Sequence, residues 1–155
     1  MRILNKKRSL LIDELIHFSL ALTAGGFLSL VFKNPFLILA GIAVGFLVDA
    51  DHLFDYFYWA GAKFSLKDFL QPKKYVLATK KVFVLFHGWE YLIAFWFLGK
   101  YLAINLRLPG FEWALCLPYF LHLSWDQIIC TKNPFAYFLT YRIINKFSLN
   151  KFDVR

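Results

Sequence analysis

Apolar residues along the 155-residue chain are gathered into long stretches, which short polar or charged connectors separate. Four stretches are long enough to form helices across a hydrocarbon core, which requires about 20 helical residues. They cover residues 10–32, 36–54, 82–106 and 111–130. The pattern predicts an all-α, polytopic membrane protein with four transmembrane helices in a single integral membrane domain, residues 1–155.

The connectors predict how these helices are arranged. Residues 33–35 and 107–110 combine a charge with proline or glycine, which is typical of tight turns between antiparallel helices. The connector 55–81 and the C-terminal tail from Pro134 mix aromatic with basic residues, which predicts interfacial helices at the membrane surface. Within the connector, Ser65 followed by Asp68 is typical of a helix start.

The composition also favours a membrane, since 59% of the residues are hydrophobic and 21% aromatic, against about 45–50% apolar residues in soluble domains. The formal net charge of +8 is not concentrated on one helical face or arm, so we exclude nucleic acid as a partner. In the four-helix arrangement, fifteen of the eighteen basic residues lie on one side, opposite Lys33, Lys100 and Arg107. This asymmetry predicts the cytoplasmic (inner) membrane, with both termini and the 55–81 connector in the cytoplasm.

Two further expectations concern processing and cysteine chemistry. The first apolar stretch has no small-residue cleavage site, so we expect it to remain as a helix and not to be removed as a signal peptide. Cys116 and Cys130 fall in one predicted helix and lack CxxC spacing, so we expect neither a mutual disulfide nor a cysteine metal site.

Each of the four histidines has a carboxylate three or four positions away, the spacing that places two side chains on one helix face. About 0.3% of shuffled sequences would show this for all four histidines, so composition does not explain the pattern. The groupings are Asp13 and Glu14 with His17, Asp49 and Asp55 with His52, Glu90 with His87, and Asp126 with His122.

The histidines also lie at a similar depth, in the cytoplasmic half of the predicted helices. Ionisable groups inside a membrane cost on the order of 2.5–3.5 kcal/mol each at a helix centre, so they usually face a protein interior. A divalent ion neutralises several carboxylates at once. The sequence therefore predicts a metal site whose ligands are His17, Asp49, Asp51, His52, His87, Glu90, His122 and Asp126.

Histidine and carboxylate ligands without cysteine favour zinc, with manganese or iron as alternatives. More than four candidate ligands predict two or more ions with an open position for water. Local interpretations stay open for some pairs: His17 with Glu14 could form a surface hydrogen bond, and His122 with Asp126 a buried pair. Asp55 fits a solvated helix end.

These residues resemble the motifs of the YdjM-like, LexA-binding family of membrane-bound metal-dependent hydrolases, and more distantly those of zinc-dependent phospholipase C and P1 nuclease. The similar features are an early helical histidine (His17), a DxDH motif that ends an apolar helix (Asp49, Asp51, His52), a histidine with its acid (His87, Glu90), and HxxxD (His122, Asp126). The resemblance implies an all-α hydrolase that acts on phosphate esters. Four histidines predict a smaller cluster than the three-zinc cluster of the soluble enzymes.

We therefore expect a membrane-embedded, metal-dependent hydrolase of a small or lipid-linked phosphate ester or phosphodiester, with Asp51 or Glu90 accepting the proton of the attacking water. Membrane lipids are its expected surroundings, and the oligomeric state stays open. The main alternative is a transporter or channel for metal ions or protons, and a third is a non-catalytic membrane adaptor. The nearly pure apolar outer halves of the helices argue against transport, because a path should carry polar groups across the whole bilayer.

Overall fold

In the structure, a computed structural model that describes residues 10–154, the regular elements are helices. The longer ones are α1 (Leu10–Phe32), α2 (Phe36–Gly45), α3 (His52–Ala60), α6 (Tyr91–Asn105) and α7 (Phe111–Cys130), and the shorter ones are α4 (Leu66–Phe69), α5 (Pro72–Thr79), α8 (Leu139–Ile144) and α9 (Leu149–Phe152). The all-α prediction is confirmed for this part of the chain. Five of the basic residues used to predict orientation lie outside the described residues: Arg2, Lys6, Lys7, Arg8 and Arg155.

Helices α1, α2 and α7 pack closely because small residues meet where they cross. A Cβ atom added to Gly45 of α2 would lie 2.8 Å from Cβ of Pro118 on α7 and 2.9 Å from Cβ of Ala21 on α1. One added to Gly41 would lie 3.2 Å from Cα of Gly25. Small residues four positions apart are common where membrane helices approach at backbone distance. Helix α7 also packs against α6, so it contacts α1, α2 and α6.

Two helical stretches, Leu11–Phe32 and Phe36–Ala60, are long and apolar enough, by length and composition, to cross a membrane. Large apolar side chains also face outward, including Leu30 at 82% and Ile104 at 74% exposure. Exposed apolar surface of this extent is typical of contact with lipid or a partner. The four-span arrangement stays a prediction, because α6 has 15 residues and is about 22 Å long, short of a hydrocarbon core of about 30 Å.

The second predicted helix, over residues 36–54, is interrupted and longer than expected. A 3₁₀ turn, Leu47–Asp51, separates α2 from α3, and α3 continues to Ala60. Both Asp49 and Asp51 are buried in this turn, although positions two apart do not share a face of an α-helix. The change of helical geometry therefore lets one short segment direct two carboxylates into the interior.

The prediction of a continuous helix over residues 82–106 is wrong for its first part, because α6 begins at Tyr91. Side chains from other parts of the chain accept hydrogen bonds from backbone N–H groups that an α-helix would pair with its own carbonyls. The carboxylate of Asp55 accepts from the N–H groups of Phe83 and Val84 at 2.8 and 3.0 Å. The hydroxyl of Tyr119 accepts from the N–H of Gly88 at 2.9 Å. These hydrogen bonds hold the 82–90 segment in a non-helical conformation. Asp55 is buried and bonded to this segment, so it is not a solvated helix end.

The C-terminal tail packs on this same segment. Phe147 O accepts from Val82 N–H at 3.0 Å, and Tyr137 O accepts from Trp89 N–H at 2.9 Å. The guanidinium of Arg142, which is only 3% exposed, donates to Val84 O at 3.0 Å. The tail is therefore part of the scaffold that positions residues 82–90.

Candidate metal centre

Four separate elements direct ionisable side chains into one buried region. Helix α1 supplies His17, and the 3₁₀ turn supplies Asp49. The 82–90 segment supplies His87, while α7 supplies both His122 and Asp126. All five side chains are buried, and His122 has no exposed surface. Isolated groups of this kind are costly to bury, so their convergence requires a compensating interaction.

His87 and His122 lie at the middle of the region and face each other through their Nε2 atoms, which are 3.0 Å apart. On the far side of each ring, Nδ1 meets an atom that can only accept a hydrogen bond. His122 Nδ1–H donates to the carbonyl of Gly45 at 3.0 Å, and His87 Nδ1–H donates to Asp51 Oδ2 at 3.0 Å. In the neutral rings both Nε2 atoms therefore carry lone pairs directed toward the same point.

Two carboxylates complete this convergence. Asp49 Oδ1 lies 3.1 Å from His87 Nε2 and 3.6 Å from His122 Nε2. Asp126 Oδ2 lies 3.4 Å from each of the same two nitrogens. With both rings neutral, four electron-pair donors thus surround one point. Such a set is stable around a cation, and a metal ion fits its chemistry.

The distances suit a divalent metal ion. Ligand atoms about 2.0–2.1 Å from a tetrahedral ion lie about 3.3–3.4 Å apart, and neighbouring ligands of an octahedral ion at the same distance lie about 2.8–3.0 Å apart. The separations here, 3.0 to 3.6 Å, include the tetrahedral range and reach the upper end of the octahedral range. These buried Asp and His groups can therefore hold a metal ion, while the geometry selects neither the metal nor the number of ions.

The electrostatics of His87 agree with this interpretation. His87 is 1% exposed, and the carboxylates of Asp49 and Asp51 lie 3.1 and 3.0 Å from its two ring nitrogens. The position thus attracts positive charge, either as a proton on the ring or as a metal ion that displaces the proton.

His17 lies between the two carboxylates. Its Nδ1 is 3.0 Å from Asp49 Oδ2, and its Nε2 is 3.1 Å from Asp126 Oδ1. Each carboxylate therefore directs one oxygen to His17 and the other to the facing nitrogens of His87 and His122. Glu14, one turn before His17, is half-buried and has an oxygen within ligand distance of His17 and Asp49. These three residues form a second group that could hold an ion.

The remaining predicted ligands from the DxDH motif lie at the edge of the centre. Asp51 contacts His87 on the Nδ1 side, away from the converging Nε2 atoms, and Asp51 Oδ2 also accepts from Phe86 N–H at 2.6 Å. A carboxylate in this place orients the histidine ring and raises its basicity. His52 is partly exposed, with Nε2 at 3.7 Å from Asp49 Oδ1. Asp51, His52 and His87 form a third group that could hold an ion.

Glu90 does not join these groups, contrary to the expectation that it shares a helix face with His87. The two residues precede α6, so helical spacing does not apply to them. The Glu90 carboxylate instead accepts from the N–H groups of Leu139 and Thr140, at 3.0 and 2.9 Å, where α8 begins. Burial raises the pKa of Glu90, but the hydrogen bonds from Thr140 and Leu139 outweigh it and hold this pKa below its ordinary value. Glu90 is a helix cap in this structure.

Several residues that support the centre were not among the predicted site residues. Glu14 was interpreted only as a surface partner of His17, and the carbonyl of Gly45 cannot be read from a residue type. Tyr119 and Arg142 hold the 82–90 segment through backbone contacts. The sequence feature that could have indicated such a structural role is the position of Arg142 in an aromatic tail, since arginine is rarely buried unless it is paired.

Comparisons with protein-family models, with curated proteins and with solved structures find no match to this chain. The resemblance to membrane-bound hydrolases therefore stays a prediction, and so does metal binding by the residues described above. What the site can do has to be argued from its own geometry.

Proposed function

We propose that this protein is a membrane-embedded, metal-dependent hydrolase of phosphate esters. The observation that carries the proposal is the meeting of His87 Nε2, His122 Nε2, Asp49 and Asp126 at one buried point. A divalent ion held there would act as a Lewis acid and lower the pKa of a bound water. Zinc is the metal that this ligand set favours, with manganese or iron as alternatives.

The residues around the centre take distinct roles in this proposal. Asp51 and Gly45 O orient the two facing histidines from behind. Glu14 replaces Asp51 and Glu90 as the candidate proton acceptor, because it is half-buried beside His17 and Asp49 while the other two carboxylates are held elsewhere. His52, partly exposed at the rim, lies where a substrate would approach.

Close packing beyond the centre favours hydrolysis over transport. Above His122, the backbones of α1 and α2 approach so closely that a Cβ on Gly41 would lie 3.2 Å from Gly25 Cα. The same face of α7 presents Pro118 to this contact. A transport path would need polar groups or space here, and the described residues provide neither in this helix contact.

We further propose that the chain lies in the cytoplasmic membrane with four spans, both termini and the 55–81 connector facing the cytoplasm, from the fifteen-to-three distribution of basic residues. Lys74 in α5 is exposed enough to test this orientation. In a background without Cys116 and Cys130, a Lys74→Cys variant should be labelled by a membrane-impermeant thiol reagent only after the cytoplasmic face is opened. Labelling in intact cells would refute the orientation.

The test of the function is turnover by purified, metal-loaded protein. Stoichiometric zinc or manganese should be found by elemental analysis, and the protein should hydrolyse at least one member of a phosphate-ester panel that includes lipid phosphates. His122→Ala and Asp126→Asn should each lower kcat/KM by about a thousandfold or more, because loss of a ligand removes the Lewis acid. Asp153→Asn, at an exposed tail position, should leave both metal content and turnover unchanged.

If the protein binds metal without turnover and moves metal into proteoliposomes, the hydrolase proposal is refuted and the transporter alternative is favoured. Absence of bound metal with an intact fold would refute the metal centre itself.

A further inference from the structure

A groove of about 400 Å³ runs along the outer surface between α1 and α7. Its surface is mostly apolar, and its lining residues are Ile16, Ser19, Leu20, Thr23, Ala24 and Phe27 from α1 with Leu117 and Leu121 from α7. The α1 residues recur at steps of three or four, which places them in one stripe along the helix. At 1.5 Å per residue, the stripe from Ile16 to Phe27 is about 16 Å long.

One end of the groove, at Ile16, lies next to a residue of the metal centre. His17 follows Ile16 on α1, and its Nε2 lies 3.1 Å from Asp126 Oδ1 on α7. This contact joins the same two helices that form the walls of the groove. Asp126 lies five residues beyond Leu121, a rise of about 7.5 Å along α7. The apolar groove therefore lies beside the polar centre, along the line where α1 and α7 meet.

The dimensions of the groove limit what can occupy it. Its length of about 16 Å is close to the thickness of one bilayer leaflet, about half of a 30 Å hydrocarbon core. Helix α1 is one of the two stretches long and apolar enough to cross a membrane, so the groove would face lipid along its length. A suitable occupant has an apolar chain of leaflet length and a polar head group at one end.

We propose that the substrate is a long-chain lipid phosphate, whose hydrocarbon chain lies in the groove between α1 and α7 while its phosphate reaches the metal centre. This inference rests on the proposed function and narrows its substrate class. In the hydrolysis of a lipid phosphomonoester, the oxygen of one water forms a bond to phosphorus, the P–O bond to the lipid breaks, and the lipid oxygen leaves with a proton from the water. The products are the lipid alcohol and inorganic phosphate.

A matched pair of variants tests the groove. Leu20→Trp places a larger side chain in the groove, whereas Leu22→Trp makes the same change at an exposed position of α1 that does not line it. Leu20→Trp should lower kcat/KM for a long-chain lipid phosphate by about tenfold or more, and leave kcat/KM for a short, water-soluble aryl phosphate unchanged. Leu22→Trp should change neither value, and both variants should keep the metal content of the wild type.

Binding is measured separately from turnover, by photocrosslinking in nanodiscs with phosphatidic acid that carries a diazirine in its acyl chain. Adducts are expected on residues 16–27 and 117–121. Unlabelled phosphatidic acid should reduce them, diacylglycerol with the same chains should not, and Leu20→Trp should remove them while Leu22→Trp keeps them.

The outcomes separate this inference from the proposed function. Adducts that diacylglycerol displaces equally, or that spread over lipid-exposed residues such as Leu30 and Ile104, would show ordinary bilayer lipid and overturn the inference. Turnover of soluble esters without preference for a long chain would overturn it as well, while the hydrolase stands. Phosphate-specific adducts without hydrolysis of any substrate would refute the hydrolase and retain the lipid phosphate site.

Discussion

Replacing Asp51 with asparagine tests whether His87 binds metal through Nε2 while Asp51 orients the ring from behind. Asp51 Oδ2 accepts from both His87 Nδ1–H at 3.0 Å and Phe86 N–H at 2.6 Å. Asparagine keeps the shape and an acceptor oxygen but removes the negative charge that makes Nε2 more basic. Loss of such a partner behind a metal-binding histidine typically lowers metal affinity about 10–100-fold, which is about 1.4–2.7 kcal/mol. We expect Asp51→Asn to fall in this range.

The assay is competition for zinc between the detergent-solubilised protein and a chromogenic chelator of known affinity, at a fixed pH because ligand protonation also changes affinity. Asp153→Asn is the matched control, since it removes a carboxylate at an exposed position. The backbone of Asp153 is left-handed, with φ of 52°, and asparagine accepts this conformation well. Its zinc affinity should equal that of the wild type.

Two results would refute the reasoning about Asp51. Unchanged zinc affinity in Asp51→Asn would show that His87 does not depend on the carboxylate behind it, or does not bind metal. A loss as complete as that of His87→Ala would identify Asp51 as a direct ligand, as the DxDH motif alone predicts. Only an intermediate loss fits a carboxylate that acts through the histidine.

The other predictions concern the packing that holds the centre. Gly45→Val should lower the metal content and destabilise the fold by about 1–3 kcal/mol, because its Cβ would collide with Pro118 and Ala21. Gly26→Val is the control, since a Cβ there meets no atom within 4 Å. Elemental analysis should find a normal metal content in Gly26→Val. Glu90→Gln should lower the melting temperature by about 2–4 °C at pH 7, for a loss of about 1 kcal/mol of helix capping. The pKa of Glu90 is lowered in the folded state, so this stabilisation is present above the unfolded value of about 4.3 and is lost as pH falls through the folded value. Melting curves of both proteins should therefore converge in acid, and a difference that persists there would refute the cap.

Much of the helical arrangement could be predicted because it follows from local hydropathy. The described boundaries of α1 and α7 agree with the predicted stretches 10–32 and 111–130. The turn before Phe36 was likewise indicated by Lys33, Asn34 and Pro35, and the start of α4 by Ser65, whose side chain accepts from Asp68 N–H. Each of these features depends on residues close together in the chain.

The non-helical path of residues 82–90 could not be predicted in the same way. An apolar run such as residues 82–86 has the hydropathy of a helix or of an extended segment, and periodicity does not separate the two. What decides between them is the supply of hydrogen-bond acceptors from Asp51, Asp55 and Tyr119. Those residues are 28 to 35 positions away from their partners, so the decision is made by tertiary structure.

The spacing of histidines and acids correctly indicated a shared site, but most of the contacts in that site are not between the residues that were paired by spacing. His17 contacts Asp49 and Asp126, which come from the 3₁₀ turn and from α7, and His87 contacts Asp49 and Asp51 and not Glu90.

Among the described residues, His122 with Asp126 keeps a contact within one helix as predicted, at 3.4 Å, and this pair also belongs to the larger group. The predicted four-span arrangement would account for this pattern, because it confines acids and histidines to one depth of the bundle, where ionisable groups are tolerated only in the interior. Contacts between different elements bring most of these side chains together, and helical spacing adds the contacts of His122 with Asp126 and of His52 with Asp49. Glu90 had no such contact to make, since it precedes α6 and no helix places it on one face with His87.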